Sequence, residues 1–423
     1  MIIVDVKGGL GNQLFHYSIA KALALTKNTD FMLNIDSYKG EDAKLFDHVE
    51  FKLNHFNIGD YKTITTDEIN KLDDVDVIIE PLSSTNFVDY IDFSNINKDM
   101  RLIGFWQDER YFKRYENIIK NDLKVVTSPN KKNRMMLSEI NETNSVCLSF
   151  RRGEYLDSYY LSHFGMCTET YYKNAINFMS KRVENPVFYI FSDDVEWIED
   201  NVKLDFPTIP VNINGVGNEH EELRLMNHCD HFILANSSFS WWGAWLSKNK
   251  HKQIFAPKPW FNSYTKENIL CKNWIHLKCD RSDLFDKSSK KIFEFSNDFD
   301  LKELQFQNME KNIGWRGYEL KTIDSTSNFK FKFDNDLLLD NNEYIIQFSI
   351  FSKKDGLFKI DYGETRQIIL GYSKGDSVKY LHIKDIKLND LVINISDDSL
   401  IIRNIAIKSV NSDFTLIYDD SCG

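Results

Sequence analysis

The residue types best suited to hold a charged ligand stand together in one polar turn: Asn236, Ser237, Ser238, Phe239 and Ser240. The turn follows an apolar run at 231–235 and precedes an apolar, Trp-rich segment. Asn and Ser commonly cap helix N-termini, so the pattern predicts a buried parallel strand, a turn and a helix. The free backbone N–H groups and the positive end of that helix could hold a phosphate. An ordinary capped helix with a packing face is the alternative.

Two adjacent arginines end a second predicted strand. Arg151 and Arg152 follow the apolar run at 146–150, and Glu154 comes two residues later. Arginine is costly to bury without a partner, and the carboxyl ends of parallel strands face a ligand crevice. A guanidinium group matches phosphate oxygens with two parallel hydrogen bonds. We expect one arginine to meet a phosphate and the other to pair internally with Glu154 or Glu169.

A third polar strand end carries Ser192, Asp193 and Asp194, after the apolar run at 187–191. A carboxylate at the end of a parallel strand commonly binds ribose hydroxyls or a base edge. Paired aspartates can also bind a metal ion, but two carboxylates alone are a weak signal for one. The sequence therefore favours nucleotide binding at this turn and predicts no metal site.

Two turns early in the chain could bind a sugar. Gly9, Asn12 and Gln13 belong to a glycine-rich turn after the first predicted strand, and Trp106 and Gln107 belong to an aromatic turn. Glycines let a ligand approach the backbone, amides hydrogen-bond hydroxyls, and aromatic rings stack on sugar faces. The glycine turn lacks the full dinucleotide spacing G-x-G-x-x-G. Helix capping by Asn12 and plain helix entry near the aromatic turn are the alternatives.

Composition limits the class of ligand and the compartment. The 423 residues are 42% hydrophobic and 27% charged, and the formal net charge is −11. So acidic a chain is poorly suited to nucleic acid and to more than peripheral contact with a membrane. The six cysteines are scattered without zinc spacing, which favours reduced thiols. The sequence shows no signal-peptide pattern and no apolar run of transmembrane length, so we expect a cytoplasmic protein.

The pattern of elements changes near residue 285. Before it, strand-like apolar runs alternate with helix-period segments, which predicts an α/β fold with parallel sheets. After it, short alternating strands separated by polar turns predict an all-β sandwich. The strands expected there are residues 329–333, 343–351, 357–362, 367–372, 391–395, 400–410 and 414–418. A polar linker is expected at 283–291.

The order of the motifs resembles one known family. Seven segments resemble, in this order, the bacterial α-1,2-fucosyltransferases of glycosyltransferase family 11: GGLGNQLFHYS, GFWQDERYF, SFRRGEY, CTETYYKNAI, YIFSDD, EELRLMNHCDHFILANSSFSWWGAWL and APKPWF. The resemblance covers about residues 1–280 and leaves out the C-terminal β region. It implies a GT-B fold, in which two Rossmann-like domains face each other across a cleft.

The resemblance also implies a reaction. L-Fucose would pass with inversion from GDP-β-L-fucose to the 2-hydroxyl of a galactoside, such as a galactose-containing oligosaccharide, without a cofactor or a catalytic metal.

Residues 1–140 would form the acceptor-side domain and residues 141–284 the GDP-fucose-binding domain. The β-sandwich predicted at 287–423, with jelly-roll-like architecture, would be an accessory domain for glycan binding, packing or dimerisation. A chain cut after residue 285 should then still act on small acceptors.

Site residues follow from the same resemblance, position by position. The catalytic residues would be Arg152, Glu154 and Asn12. The donor-binding residues would be Arg151, Arg152, Ser192, Asp193, Asp194, Asn236, Ser237, Ser238, Phe239 and Ser240. The acceptor-binding residues would be Gly9, Gln13, Trp106 and Gln107. Glu154 is the first candidate for a general base, followed by Asp5 and Glu109.

Two positions depart from the family's usual H-x-R-R-x-D pattern. Ser149 stands in place of the histidine, so any acid–base role of that histidine is lost here, and Glu154 carries the final carboxylate on a longer arm. His16 stands where the family usually has glutamine, which we interpret as neutral variation. Two other functions stay open: transfer from a different nucleotide sugar, and glycan binding without catalysis. Homo-oligomer formation also stays open.

Overall fold

The computed structural model describes the following residues: 1–39, 50–80, 90–96, 98–156, 164–262, 268–279, 281, 289–295, 304–307, 309–314, 317–322, 327–331, 343–352, 356–362, 366–372, 375–384, 392–395 and 400–410. Two compact units are present. The first comprises Met1–Phe150, Ala175–Ala256 and Asn268–Leu277, and the second comprises Arg151–Asn174, Pro257–Glu267 and Lys278–Gly423. No helix in the described part of the chain is long and apolar enough to cross a membrane.

The N-terminal part forms a parallel sheet with strand order β3-β2-β1-β5-β4. Its elements, in chain order, are β1 (Ile2–Asp5), α1 (Leu10–Lys27), β2 (Phe31–Asn34), β3 (Lys62–Thr63), α2 (Thr66–Ile69), β4 (Val75–Ile79) and β5 (Asp99–Ile103), followed by the helices α3 (Glu116–Asp122) and α4 (Lys131–Asn141). The first three residues of β1 are buried, as expected for the central strand of a parallel sheet.

A second sheet follows, with strand order β11-β10-β9-β6-β7-β8. Its elements are β6 (Asn144–Phe150), α5 (Glu169–Ser180), β7 (Pro186–Ser192), α6 (Val195–Asn201), β8 (Thr208–Pro210), α7 (Glu219–His228), β9 (His231–Ile233), α8 (Ser238–Leu246), β10 (Ile254–Lys258) and β11 (Ile275–Lys278). Strand β6 pairs in parallel with β7 and β9, and the pairs β7–β8 and β9–β10 are also parallel. The predicted α/β fold with parallel sheets is confirmed.

The C-terminal part contains antiparallel β structure, as its alternating pattern predicts. One sheet has the order β14-β15-β22-β17-β20, with β12 also paired to β22, and another has the order β13-β16-β21-β18-β19. The strands are β12 (Ser289–Phe295), β13 (Leu304–Gln307), β14 (Met309–Gly314), β15 (Gly317–Thr322), β16 (Ser327–Phe331), β17 (Glu343–Ser352), β18 (Gly356–Tyr362), β19 (Arg366–Tyr372), β20 (Gly375–Lys384), β21 (Val392–Ile395) and β22 (Leu400–Val410). The strand expected at 414–418 lies outside the described residues.

The two α/β sheets share one aromatic core, built between α1 and α8. The ring of Phe15 on α1 lies 4.7 Å from that of Trp241 and 4.9 Å from that of Trp242, both on α8. The indole N–H of Trp242 donates to the carbonyl of Gly11 over 2.9 Å. These buried rings fix the helix that follows β1 against the helix that follows β9, and thereby bring the two N-terminal turns of these helices together.

Candidate functional site

The turns after β1, β5 and β9 meet around the first turn of α1. A Cβ atom added to Gly11 would lie 2.6 Å from Phe239 N and 2.6 Å from Ser238 Oγ. Only glycine permits so close an approach of two helix N-termini. At the next residue of α1, Gln107 Nε2 donates to Asn12 Oδ1 over 2.8 Å. Four residues predicted for the site, Asn12, Gln107, Ser238 and Phe239, therefore stand around one point.

The serine turn has the predicted strand–turn–helix form. Ser237 is the N-cap of α8, and its Oγ accepts from Phe239 N over 3.3 Å. Ser240 is buried and donates to the carbonyls of Ala235 and Ser237 over 3.1 and 3.0 Å. Ser240 thus holds the turn itself, while Ser237, Ser238 and Phe239 are half-buried and reachable. Asn236 is buried at the start of the turn.

Ser149 contributes to the same turn from β6. Its side chain is buried, and its Oγ accepts a hydrogen bond from Ala235 N over 2.8 Å. A buried backbone N–H without a partner would be destabilising by about 1–3 kcal/mol. The serine that replaces the family's histidine therefore supports the strand end that leads into α8.

The amide of Asn12 is oriented by its neighbours. Its Oδ1 accepts from Gln107, and its backbone N–H bonds the carbonyl of Gly9. Because the oxygen is used, the Nδ2 group of this half-buried side chain is the part of the amide left to donate to a ligand. Gly9 is exposed, and a Cβ atom there would meet no atom within 4 Å. The positions of Gly9, Asn12 and Gln107 agree with a site at this turn.

Gln13 was predicted to bind the acceptor, and its environment contradicts that role. The side chain is fully buried. Its Nε2 donates to the carbonyls of Gly8 and Glu50 over 3.1 and 2.8 Å, and its Oε1 accepts from Lys52 N over 2.9 Å. With both ends of the amide satisfied by backbone groups, Gln13 fixes the glycine turn to the chain around residue 50.

Trp106 was predicted to stack on an acceptor sugar, and this prediction is wrong. The indole is fully buried, in ring contact with Phe93 and Tyr111 at 5.9 and 5.7 Å, so no ring face is open to a ligand. Its backbone N–H and that of Phe105 donate to one carboxylate oxygen of Glu80 over 3.0 and 2.6 Å. Trp106 packs the turn that presents Gln107.

The two secondary candidates for a general base are engaged elsewhere. Asp5 accepts from the Nε and Nη2 atoms of Arg101 over 3.1 and 2.8 Å. Glu109 is buried and pairs with Lys113 Nζ over 2.8 Å, while its second oxygen accepts from Trp245 Nε1 over 3.3 Å. Each carboxylate already has hydrogen-bond partners that would have to be displaced before it could accept a proton from an acceptor hydroxyl. Both candidates are therefore poor ones.

The twin arginines are the first two residues after β6, and they differ in environment. Arg151 is half-buried; its Nη2 lies 3.2 Å from Glu154 Oε2, and its guanidinium lies over the ring of Tyr155 at 5.4 Å. Arg151 therefore has Glu154 as an ion-pair partner, and donor binding by both arginines stays a prediction. Arg152 is only 6% exposed. Glu154, the preferred candidate for a general base, is the partner of Arg151.

The turn after β7 is partly used for local structure. Asp194 is the N-cap of α6, and its carboxylate accepts from Trp197 N over 3.2 Å. The hydroxyl of Ser192 accepts from Asp194 N over 3.0 Å. Asp193 is exposed between them. Of these three residues, Asp193 is the most exposed.

Sequence reasoning did not single out Glu222, which lies in one of the seven segments that resemble the family. Glu222 is half-buried on α7. Burial, with the negative charges of Glu219 and Asp193 added to it, raises the pKa of the Glu222 carboxyl to about 8. At neutral pH the group is mostly protonated and can donate a hydrogen bond, as well as accept one. A perturbed carboxyl near Asp193 is a further candidate for the nucleotide site.

His16 was also underestimated, because the sequence treats it as neutral variation. Its Nε2 bonds the carbonyl of Gly104 over 2.8 Å and ties α1 to the aromatic turn after β5. Burial lowers the pKa of His16 to about 4, so the ring is neutral and Nε2 carries the proton that is donated. The helical position just after Gln13 marks it as buried, but its partner is 88 residues away in the chain.

A metal site finds no support in the described part of the chain, where no three His, Cys, Asp or Glu side chains are grouped so that they could hold an ion. Metal independence stays a prediction.

The sequence model of the family described as Glycosyl transferase family 11 matches residues 4–278. The chain belongs to glycosyl transferase family 11. This confirms the family that the order of the motifs indicates, and with it the assignment as a glycosyltransferase. The C-terminal antiparallel sheets lie beyond the matched residues.

Two bacterial relatives are similar over most of their own length. Alpha-1,2-colitosyltransferase from Escherichia coli is 32% identical over 278 residues, which are 62% of this chain and 92% of the relative. The O-antigen biosynthesis glycosyltransferase WbnK from Escherichia coli is 28% identical over 303 residues, 64% of this chain and 99% of the relative. The solved structure of fucosyltransferase NodZ from Bradyrhizobium is 11% identical over 57% of this chain and 92% of its own, with a TM-score of 0.37, too low to establish a shared fold.

Proposed function

We propose that this family 11 glycosyltransferase transfers L-fucose, with inversion, from GDP-β-L-fucose to the 2-hydroxyl of a galactoside. The observation that carries the proposal is the convergence at the start of α1, where Gly11 is in close contact with the α8 turn at Ser238 and the next residue, Asn12, is hydrogen-bonded to Gln107. In this proposal the two parallel sheets are the halves of a GT-B fold, with the acceptor on the side of Asn12 and Gln107.

The chemistry needs positive charge for the leaving diphosphate. Departure of GDP makes the diphosphate more negative and gives the sugar oxocarbenium character. The N-terminus of α8, with its dipole and half-buried residues Ser237, Ser238 and Phe239, would stabilise part of that charge. Arg151 and Arg152 would supply the rest through charge-assisted hydrogen bonds. Asp193 and Asp194 would bind the nucleoside.

Proton removal from the acceptor hydroxyl is assigned to Glu154. The Glu154 side chain is half-exposed and lies 3.2 Å from Arg151, whereas the side chains of Asp5 and Glu109 are held in tighter ion pairs. A dissociative transition state needs only a weak base. Asn12 would hold the reacting hydroxyl or the sugar with its Nδ2 group.

A second candidate function differs only in the sugar that is moved. The E. coli relative that is 32% identical is named an alpha-1,2-colitosyltransferase, which favours colitose as an alternative donor sugar. The same protein should be offered both nucleotide sugars under identical conditions. A kcat/KM for the colitosyl donor above that for GDP-fucose would assign the second function, and the reverse would assign the first.

The decisive experiment measures the turnover of two arginine variants. Arg152→Ala and Arg151→Ala each remove a cation expected to contribute on the order of 2–4 kcal/mol to transition-state stabilisation. With lactose as acceptor, at least one variant should lose about a hundredfold or more in kcat/KM for GDP-fucose while its circular dichroism spectrum stays unchanged. If both variants keep wild-type values, the donor assignment fails. If wild-type protein binds lactose but turns over neither donor, a glycan-binding protein replaces the enzyme.

A further inference from the structure

The C-terminal sheets fold together with the stretch of chain that carries the twin arginines. In the second compact unit, Arg151–Asn174 and Pro257–Glu267 belong with Lys278–Gly423. The sequence predicts that the C-terminal region is an accessory domain on which the chemistry does not depend. The contacts inside this unit indicate a closer connection.

Asn262 is the residue at which three segments of the unit meet. It is only 5% exposed. Its backbone N–H donates to the carbonyl of Phe164 over 3.1 Å, and its Nδ2 donates to the carbonyl of Tyr380 on β20 over 3.0 Å. Its own carbonyl accepts from Lys379 Nζ over 2.8 Å. Bonds in three directions fix this residue relative to both β20 and Phe164.

Lys379 is buried to a degree that is rare for lysine. Its exposure is 8%, and its ammonium group donates to the carbonyl of Asn262. Removing an ammonium group from water is costly unless it gains strong hydrogen bonds, and a charge-assisted bond is about twice as strong as a neutral one. The contact between β20 and the Asn262 loop is therefore one that the fold holds firmly.

Aromatic contacts continue from this loop to the first arginine. The ring of Phe261 lies 5.8 Å from that of Phe164, and Phe164 stacks on Tyr155 with centroids 5.3 Å apart. Tyr155 in turn lies beneath the guanidinium of Arg151 at 5.4 Å. A continuous chain of packed groups thus runs from β20 through Asn262 and Phe164 to Arg151.

Arg281 also contacts two of these segments, at residues 259–260 and at Gly165. It is 4% exposed, and its Nη2 donates to the carbonyls of Pro259 and Trp260 over 3.1 Å each. Its guanidinium lies so close to Gly165 that a Cβ atom there would overlap it. The Pro259–Trp260 backbone and the Phe164–Gly165 turn are therefore held together independently of Lys379.

We propose that Lys379 and Asn262 are positioning residues for Arg151, and that the C-terminal sheet acts as a brace for this arginine. The inference rests on the proposed function, in which Arg151 binds the donor diphosphate. It reverses the expectation from sequence, because a chain cut after residue 285 would lose Lys379 and the Tyr380 carbonyl.

The test uses full-length Lys379→Met, which keeps the length of the side chain but removes the bond to Asn262. Misplacement of a binding group by about 1 Å can lower rates up to about a hundredfold, so we expect kcat/KM for GDP-fucose to fall about tenfold or more. The loss should appear in the KM of the donor, while the KM of lactose stays unchanged. Ser349→Ala, on β17 and paired with Val378, is the control in the same sheet.

Amide hydrogen exchange of residues 151–156 and 164–174 gives a second readout that needs no donor. It should accelerate in Lys379→Met, and in Asn262→Ala if the first variant folds poorly, but not in Ser349→Ala or in β6. If wild-type protein transfers no fucose, the proposed function fails and exchange alone decides the inference. If Lys379→Met and Asn262→Ala match Ser349→Ala in exchange and in donor KM while Arg152→Ala is impaired, the inference is wrong and the proposed function stands.

Discussion

Gly11 is the position where a single methyl group tests the site most directly. In Gly11→Ala the new Cβ would lie 2.6 Å from Phe239 N and 2.7 Å from Ser238 C. Ordinary contact begins near 3.4 Å, so the start of α8 would have to retreat by about 0.8 Å. Besides Ser238 Oγ, these two atoms in the way are backbone, so rotation of the Ser238 side chain alone does not relieve the overlap. The bond from Trp242 Nε1 to the Gly11 carbonyl opposes the movement.

The expected change in the stability of Gly11→Ala follows from two opposed effects. Overpacking of this kind typically costs about 1–3 kcal/mol, while replacing a helical glycine by alanine returns up to about 1 kcal/mol. A net loss of roughly 1–2 kcal/mol would lower the melting temperature by about 2–8 °C in a unit of this size. Because the displaced residues are those proposed to hold the diphosphate, a shift approaching 1 Å should lower kcat/KM for GDP-fucose about 10- to 100-fold.

The assay compares Gly11→Ala with Gly215→Ala, whose Cβ would meet no atom within 4 Å. Thermal unfolding and initial rates at varied GDP-fucose concentration would be measured for both variants and for wild-type protein. We expect Gly215→Ala to resemble wild type in both measurements. If Gly11→Ala also resembles wild type, the first turns of α1 and α8 are not in tight contact, and the convergence that carries the proposed function is refuted.

Two further predictions concern acid and metal. The pKa of His16 in the folded protein, about 4, lies below its ordinary value of 6.5, so the contribution of neutral His16 to stability is complete above pH 6.5 and is lost as the pH falls toward 4. His16→Gln can still donate to the Gly104 carbonyl but cannot be protonated. Between pH 7 and 4.5, its free energy of unfolding in urea should therefore fall by about 2–3 kcal/mol less than that of wild type, with exposed His251→Gln as the control. Equal acid losses in wild type and His16→Gln would contradict this reading of His16. Because arginines and a helix N-terminus are proposed to stabilise the negative charge of the diphosphate, transfer should persist in EDTA. Activity that is abolished by EDTA and restored by Mg²⁺ or Mn²⁺ would instead make Asp193 and Asp194 metal ligands.

Much of the local architecture is written in short stretches of sequence. The strand–turn–helix at 231–246 was predictable because an apolar run, capping residues and an apolar helical segment follow one another directly, and β9 and α8 appear there. The antiparallel C-terminal region was predictable for the same reason, since alternation with period two is a local property. Strand β5 is difficult to recognise from sequence because Arg101 interrupts its apolar pattern, and the Asp5 carboxylate that pairs with Arg101 lies 96 residues away.

The sequence by itself determined the family, the two kinds of sheet and the polar turns in which a site could lie. Only the tertiary structure decided which of those side chains remain available to a ligand. Gln13 and Trp106 look like sugar-binding residues in the sequence, yet one is bonded to the backbone of the residue-50 region and the other is enclosed by Phe93 and Tyr111. The same holds for Lys379, whose sequence environment gives no sign of Asn262. The local sequence pattern indicates which chemistry a residue type can perform. The partners of an individual side chain depend on hydrogen bonds and packing between segments far apart in the chain.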